Sequence, residues 1–560
     1  MQLIECVPNF SEGRDMSIIK QITDEIERVD GVRLLDVDAG KATNRTVVTF
    51  VGTPQAVIDA AYLAIKKAGE LIDLSTHTGE HPRMGATDVC PLIPISGITM
   101  EETAMWARRL AQRVGEEQQL AVYCYEAAAF TPERENLATI RAGEYEGFFA
   151  KIQRAEWRPD FGPAVNDVRR GATVIGARDF LIAYNVNLNT TSERRANAVA
   201  FDVREQGRIV RDGDPITGKP VLDENGEPKR IAGTCKAVKG IGWYIAEYGI
   251  AQVSMNITNI RLTQLHEAFE ACVASAVTRG MRVTGSELVG LVPLSVLRDA
   301  GKYYLERQER STGVSDAELI KIAVRSMGLD ELSPFDPQKK VIDYLLAETQ
   351  PRPLVAMNLR AFADETASES PAPGGGSIAA YVGALGVSLA TMVANLSAHK
   401  RGWDARWHEF SVWAAEGQAL QTQLLNLVDD DTASFNRIMD AFKLPKGTAA
   451  EKEARTAAIQ AATLYAIQVP QRTMQLSLQS FTLIEAMINT GNPNSITDAG
   501  VAVLCARAAV HGAFLNVKIN AKDLTDKDFV DKALAEGAAA CAAADEAEAR
   551  LMAAVHRAIA

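Results

Sequence analysis

Two histidines stand four residues apart in His77-Thr78-Gly79-Glu80-His81, an H-x-x-E-H spacing. On a helix that pattern holds zinc, with both imidazoles on one face. A helix is disfavoured here, because Gly79 costs about 1 kcal/mol of helix stability and Pro82 drives His81 out of the α region. His81 is therefore read as a loop histidine, and no metal is expected. An imidazole titrates near neutrality, so it can both take and give a proton. The same region carries Asp38, Arg45 and Arg83. Either guanidinium could grip a carboxylate bidentately, or it could form a surface ion pair. Asp38 could orient the imidazole or face a cation, or it could simply shape the turn at Ala39-Gly40.

The rear of the chain offers a carboxylate. Leu424, Val428, Asp431, Phe435, Ile438 and Phe442 recur at spacings of four and three, one continuous helical seam. Asp431 occupies a position where the pattern asks for an apolar side chain. Burial there raises a carboxyl pKa toward neutrality, which suits a proton shuttle. Asp429 and Asp430 fall off the seam and are expected to be solvated. The plainer alternative for Asp431 is a buried aspartate bonded to Lys518 or Arg507 on a neighbouring helix. Upstream, Glu369-Ser370-Pro371-Ala372-Pro373 leads into Gly374, Gly375, Gly376 and Ser377 at the start of a small-residue helix. Such a start can present backbone N–H groups to a ligand, or it can serve close helix packing alone. It has no Walker lysine, so a nucleotide is not expected.

The elements that must position these residues fall into two regimes. Leu3–Val7, Val32–Asp38, Arg45–Gly52 and Val89–Ile95 read as strands, and Met16–Val29 and Pro54–Ile72 as helices. The order βαββαβ is the split βαβ or ferredoxin-like unit. The same order recurs in Leu181–Leu188, Thr191–Glu205, Ala237–Tyr248, Ile250–Ile257, Thr263–Thr278 and Met281–Val289. Arg208–Cys235, rich in Gly, Pro, Asp and Lys, reads as a long polar hairpin or a surface loop. Beyond Ser295 strands disappear, prolines punctuate a connection, and helical patterning runs to the end. The expected architecture is an α+β front half of two ferredoxin-like subdomains, 1–180 and 181–330. A linker, 331–354, and an all-α bundle, 355–560, follow.

The bulk properties narrow the partners. A net charge of −12 over 560 residues argues against nucleic acid, which needs a basic footprint. The seven scattered cysteines suit a reducing compartment. No stretch is read as reaching the ~18 apolar residues of a membrane span, and the start of the chain has no basic segment or long apolar run. A cytoplasmic protein is expected.

Several segments resemble one enzyme family, in order, across most of residues 1–330. They are Glu5-Cys6-Val7-Pro8-Asn9-Phe10-Ser11-Glu12-Gly13, Leu35-Asp36-Val37-Asp38-Ala39-Gly40, Asn44-Arg45-Thr46, Gly79-Glu80-His81-Pro82-Arg83-Met84-Gly85-Ala86, Arg141-Ala142-Gly143-Glu144-Tyr145-Glu146 and Lys239-Gly240-Ile241-Gly242-Trp243-Tyr244. The family is that of the glutamate formimidoyltransferases. The resemblance implies a fold of two ferredoxin-like subdomains and a catalytic His81. It also implies transfer of a formimidoyl group from N-formimidoyl-L-glutamate to tetrahydrofolate, mono- or polyglutamylated. Asp38 joins the candidate catalytic group, and Arg45 and Arg83 are candidates for the substrate carboxylates. Gly162-Pro163-Ala164-Val165-Asn166-Asp167-Val168-Arg169-Arg170-Gly171 matches the family's folate-binding loop in position and flanks. Its middle departs from the family, which has a tryptophan before the second glycine. Arg169 and Arg170 could meet the folate glutamate tail, or the loop could be a solvated basic one.

The Pro-Ala-Pro-Gly-Gly-Gly-Ser run, Val428-Asp429-Asp430-Asp431, Phe435, Lys443-Leu444-Pro445 and Asn516-Val517-Lys518-Ile519-Asn520 resemble a second family, the cyclodeaminases and methenyltetrahydrofolate cyclohydrolases. That resemblance covers about residues 355–545. It implies that Asp431 is catalytic and that Gly374–Ser377 binds folate. The second reaction it implies is closure of 5-formimidoyltetrahydrofolate to 5,10-methenyltetrahydrofolate with release of ammonia, a step of histidine breakdown. The alternatives for the rear region are a cyclohydrolase or a non-catalytic oligomerisation module. Both resemblances together imply a homo-oligomer, a ring of dimers such as an octamer.

Overall fold

The computed structural model describes residues 2–41, 43–79, 82–165, 167–213, 218–347 and 353–560. The chain divides into two compact units, 1–296 with 327–346, and 297–326 with 347–560.

The first unit begins with β1 (Leu3–Cys6), β2 (Asn9–Phe10), α1 (Met16–Glu27), β3 (Val32–Gly40), β4 (Arg45–Gly52), α2 (Pro54–Leu71) and β5 (Thr87–Ser96). Asp15 caps α1 by accepting from the Ser17 and Ile18 amides, and Pro54 opens α2, where its missing N–H costs nothing. β1 and β2 each lie between β4 and β5, antiparallel to both. With β3 on the far side of β4, this is the ferredoxin-like strand order.

The sheet then continues past the four expected strands. α3 (Met100–Glu117), held by a Thr99–Glu102 capping box, leads to β6 (Ala121–Glu126). The short helices α4 (Leu137–Arg141) and α5 (Glu144–Lys151) lead to β7 (Ala172–Ala177), which runs parallel to both β5 and β6.

The second half of this unit holds β8 (Ile182–Leu188), α6 (Glu193–Val203), β9 (Arg208–Ile209), β10 (Arg230–Ile231), β11 (Val238–Ile245), β12 (Ile250–Ile257), α7 (Leu265–Thr278) and β13 (Val283–Val289). Its sheet order, β11-β12-β8-β13, repeats the ferredoxin-like arrangement. β9 and β10 pair antiparallel, so of the two readings of 208–235, hairpin or surface loop, the structure takes the hairpin.

The boundaries differ from those expected. α8 (Leu294–Arg307) and α9 (Asp316–Met327) fall largely in the second unit, not the first. Within the expected linker, α10 (Pro337–Lys340) and α11 (Ile342–Ala347) are ordered elements of the first unit. The Val292 amide donates to Lys340 O and the Ile342 amide to Val292 O, and Val341 and Ile342 are buried.

The second unit continues through α12 (Leu359–Thr366), α13 (Gly375–Ala398), α14 (Trp407–Lys443), α15 (Ala449–Thr490), α16 (Ile496–Ala521) and α17 (Lys527–Ile559). Small side chains set the spacing, with Ala380, Ala384, Ala390 and Ala394 of α13 all within the core. Two helical stretches, Gly375–Ala398 and Pro493–Ala521, pass the length and apolarity of a membrane span, contrary to the expectation from sequence. Their most apolar windows are 61% and 50% buried within the unit, as core helices of a bundle are.

Candidate functional sites

His81 and Glu80 lie outside the described residues, as does Asn166. The segments flanking His81 are defined. His77 Nε2 donates to Asn44 O, 2.9 Å away, and burial keeps its imidazole pKa below the ordinary value. Arg83 donates to His77 O at 3.2 Å and to Glu146 Oε1 at 2.9 Å, with its guanidinium over the Tyr145 ring. Arg45 is drawn inward. Its Nη1 lies 2.6 Å from Asp88 Oδ2 and its Nε donates to Asn9 Oδ1 at 2.9 Å.

Asp88, on β5, was not singled out from the sequence. It is fully buried and accepts from Arg45, from Arg141 Nη2 at 2.6 Å and from the Met84 amide at 2.9 Å. Burial alone would raise its carboxyl pKa. Arg141 and Arg45 more than offset that and hold it below the ordinary value. One carboxylate thus fixes two guanidiniums and the backbone three residues past His81.

Asp38 sits on β3 opposite Val47. It is near enough to Tyr248 to add to a rise in the phenol's pKa that comes first from Glu287. Burial raises the carboxyl of its neighbour Asp36, against the opposing charge of Lys340. Asp38 therefore looks across to the second half of the unit. That half presents a polar sheet face. Strand alternation puts Tyr184, Val186 and Leu188 on one side and Asn185 and Asn187 on the other. Trp243 Nε1 donates to Gln252, Gln252 to Asn187, and Asn187 to Glu331. Glu5, buried on β1, faces away from the Ile4 and Cys6 core. Burial raises its carboxyl pKa to about 7, with Arg178 opposing. The sequence signal for these residues was a polar side chain inside an apolar strand.

The 162–171 loop is pinned at both ends by glycines with positive φ, Gly162 at +80° and Gly171 at +69°. A Cβ on Gly162 would stand 2.0 Å from Leu120 O, and one on Gly171 2.2 Å from Met84 O. The Ala86 amide donates to Arg170 O and the Ala172 amide to Met84 O, so the loop's end is stitched to the segment following His81. Its two arginines are not equivalent. Arg170 is engaged, donating to Asp167 Oδ2 at 2.6 Å and to Gln118 O at 2.8 Å. Arg169 projects outward, 3.4 Å from Asp73. An open cavity of about 630 Å³ is lined by Pro163, Val165, Asp167, Val168, Arg169 and Arg170 together with Gly69 and Gln119. Val165 and Val168 are exposed apolar residues on it.

In the second unit Gly374 is the N-cap of α13, and Gly376 and Ser377 are buried in its first turn. Asp431 of α14 meets that turn. Ser377 Oγ donates to Val428 O at 2.9 Å and lies 3.1 Å from Asp431 Oδ2. A Cβ at Gly376 would fall 2.1 Å from Asp431 Oδ1, so only glycine admits the carboxylate there. Burial raises the Asp431 pKa, and the Ser377 hydroxyl and amide act in the opposite direction. Asn516 of α16 reaches the same turn, beside Gly375. Lys518 and Arg507 are engaged elsewhere, Lys518 over the Phe514 ring and Arg507 with Asp545 and Glu548.

Two expectations about the seam are corrected. Asp429 is not solvated. It is buried and accepts from the Leu354 amide at 3.0 Å and the Val355 amide at 3.3 Å. The seam is buried at Leu424 and Val428 but opens past Asp431, with Phe435 and Phe442 exposed at 40% and 50%. The carboxylate thus stands at the border between core and solvent.

Comparison with known proteins matches both regions. A family model described as "Formiminotransferase domain, N-terminal subdomain" matches residues 3–178, one described as "Formiminotransferase domain" matches 183–347, and one described as "Formiminotransferase-cyclodeaminase" matches 358–539. The formimidoyltransferase-cyclodeaminase of Mus musculus is 43% identical over 532 residues, covering 95% of this chain and 94% of its own length. The glutamate formimidoyltransferase of Thermoplasma acidophilum is 42% identical over 308 residues, 55% of this chain and 93% of its own. The methenyltetrahydrofolate cyclohydrolase of Methylorubrum extorquens is 39% identical over 178 residues, 32% of this chain and 86% of its own. On the near-complete coverage of full-length relatives, this chain belongs to the formimidoyltransferase-cyclodeaminase family.

Proposed function

We propose that the first unit moves the formimidoyl group of N-formimidoyl-L-glutamate to N5 of tetrahydrofolate, and that the second unit closes the product to 5,10-methenyltetrahydrofolate. The observation that carries this reading is the match along 95% of the chain to relatives named for both activities. In the transfer, N5 attacks the amidine carbon, loses its proton, and glutamate leaves once its nitrogen is protonated. His81 is assigned as the group that takes the first proton and supplies the second. Asp38 is assigned to the cationic amidine or the imidazolium. The 162–171 loop and its cavity, with exposed valines and Arg169, suit a folate with an anionic tail.

In the closure, N10 attacks the formimidoyl carbon and its proton is removed, and the amidine nitrogen leaves as ammonia. Asp431, half-buried with a raised pKa, is assigned both proton transfers. Gly374–Ser377 is assigned to folate through the amides at the start of α13. A cyclohydrolase reading of the second unit is kept because a relative of that name matches this region. A homo-oligomer is proposed too, since α13 leaves Leu385, Met392 and Leu396 exposed and α16 leaves Leu515 and Ile519 exposed. With free cysteines throughout the described residues, a reducing, cytoplasmic setting is proposed.

The test is incubation of pure protein with N-formimidoyl-L-glutamate and tetrahydrofolate, following ammonia and the ultraviolet band of methenyltetrahydrofolate together. Both should appear. A protein that hydrates methenyltetrahydrofolate but releases no ammonia from 5-formimidoyltetrahydrofolate would establish the cyclohydrolase reading instead.

A further inference from the structure

We infer that Arg141, held in place by Asp88, receives a carboxylate of the transferase's amino-acid donor. The inference rests on the transferase reading above and names a receptor that the sequence did not suggest. N-Formimidoylglutamate carries two carboxylates, so its site needs two cationic groups. Arg45 and Arg83 were the obvious candidates, yet both are bound to protein carboxylates, Asp88 and Glu146. Those two pairs differ. Glu146 is 65% exposed, so water can take over its solvation when a substrate carboxylate displaces it from Arg83. Asp88 is fully buried and also holds the Met84 amide, so it stays.

Asp88 places both Arg45 and Arg141 on the same oxygen, Oδ2, at 2.6 Å each. Two guanidiniums on one oxygen share a single negative charge, and their mutual repulsion is felt at Arg45. Arg141 has no second carboxylate among the described residues, and its Nε is buried without a hydrogen-bond partner. A buried donor left unpaired is costly, the more so on a charged group. Such a cost persists where a ligand relieves it. A guanidinium that uses one Nη on Asp88 keeps its Nε edge for an arriving carboxylate. Arg141 ends α4 and Glu146 lies on α5, so the segment 141–146 supplies both this cation and the displaceable partner of Arg83. Asp88 is then a positioning residue, since it acts through Arg141 and touches no substrate.

Steady-state kinetics of Arg141→Gln and Arg141→Lys in the full chain test this. Arg141→Gln should raise KM for N-formimidoyl-L-glutamate roughly 10–100-fold, the loss expected for one charge-assisted pair. KM for tetrahydrofolate and ammonia release from supplied 5-formimidoyltetrahydrofolate should not change. Arg141→Lys should recover part of the loss. The two monoamides of the donor, each lacking one carboxylate, give a second readout. One of them should be a far poorer donor than the diacid for the wild type but nearly equal to it for Arg141→Gln. An unchanged donor KM in both variants, or equal discrimination against both monoamides by wild type and variant, would overturn the assignment. If Arg141→Gln does not fold, the same two criteria apply to Arg141→Lys. Failure of the wild type to transfer from the diacid would overturn the transferase reading itself, so the two failures are separate.

Discussion

The two candidate sites solve the same problem with opposite materials. Each must move protons near neutrality. In the first unit Asp88 gathers Arg45, Arg141 and the Met84 amide, and Arg83 pairs with Glu146. The proton carrier assigned there, His81, is an imidazole, a group that titrates near neutrality in water. What that site must do is hold a dicarboxylate donor. The second unit contains one carboxylate at the lip of a small-residue bundle, with a hydroxyl and a helix N-terminus for company. A carboxylate is a poor base at neutral pH until its hydration is stripped. Burial beside Gly376 and Val428 does that, while Ser377 keeps the charged form within reach. Recognition dominates the first design and desolvation the second.

The largest effect expected from breaking this contrast is at His81. His81→Ala should lower transfer kcat by roughly 10²–10⁴-fold and leave ammonia release from supplied 5-formimidoyltetrahydrofolate intact. Near-normal transfer would remove the imidazole from the mechanism.

Gly376→Ala comes next. Its Cβ would collide with Asp431 Oδ1, and overpacking of that kind costs about 1–3 kcal/mol. Because the carboxylate is what must move, cyclodeaminase activity should fall by at least roughly tenfold while transfer is unaltered. Wild-type ammonia release in this variant would show that the carboxylate's placement is not critical.

The smallest effects separate the neighbouring aspartates. Asp429 anchors the Leu354 and Val355 amides, so Asp429→Ala should destabilise the second unit by about 1–3 kcal/mol. Asp431 behaves with the opposite sign. Its folded pKa is raised, so the stability it contributes is complete below the unfolded value and is lost as pH rises through the folded value. Asp431→Asn cannot ionise. It should melt with the wild type at low pH and above it at neutral pH, a gap that thermal melts in a pH series would measure. Parallel melting curves for wild type and Asp431→Asn would contradict burial of that carboxylate.

What the sequence made legible follows the same division. The strand β11 and the amphipathic helices α1 and α2 are legible because each alternates buried with solvent-facing residues. β6 and β7 were missed because they run parallel and are buried almost throughout, from Ala121 to Tyr125 and from Ala172 to Ala177. A strand covered on both faces shows an apolar run without alternation. Asp88 escaped notice for another reason. Its partners stand 43 and 53 residues away, and nothing local marks it except polarity inside a strand. Asp431 was legible because one helix contains its whole anomaly. Asp429 was misread because its partners, the backbone of Leu354 and Val355, belong to a segment that helical periodicity cannot place. Pro337 reads from sequence as punctuation in a linker, yet it opens α10 behind the cap of Asp336.

The central claim is that each unit performs its own proton transfer with one residue. The most direct measurement supplies Asp431→Asn with N-formimidoyl-L-glutamate and tetrahydrofolate and follows glutamate, ammonia and methenyltetrahydrofolate in one time course. The account predicts glutamate at the wild-type rate, accumulated 5-formimidoyltetrahydrofolate and no enzymatic ammonia, with closure restored when His81→Ala is added. Ammonia released at the wild-type rate by Asp431→Asn alone would contradict it.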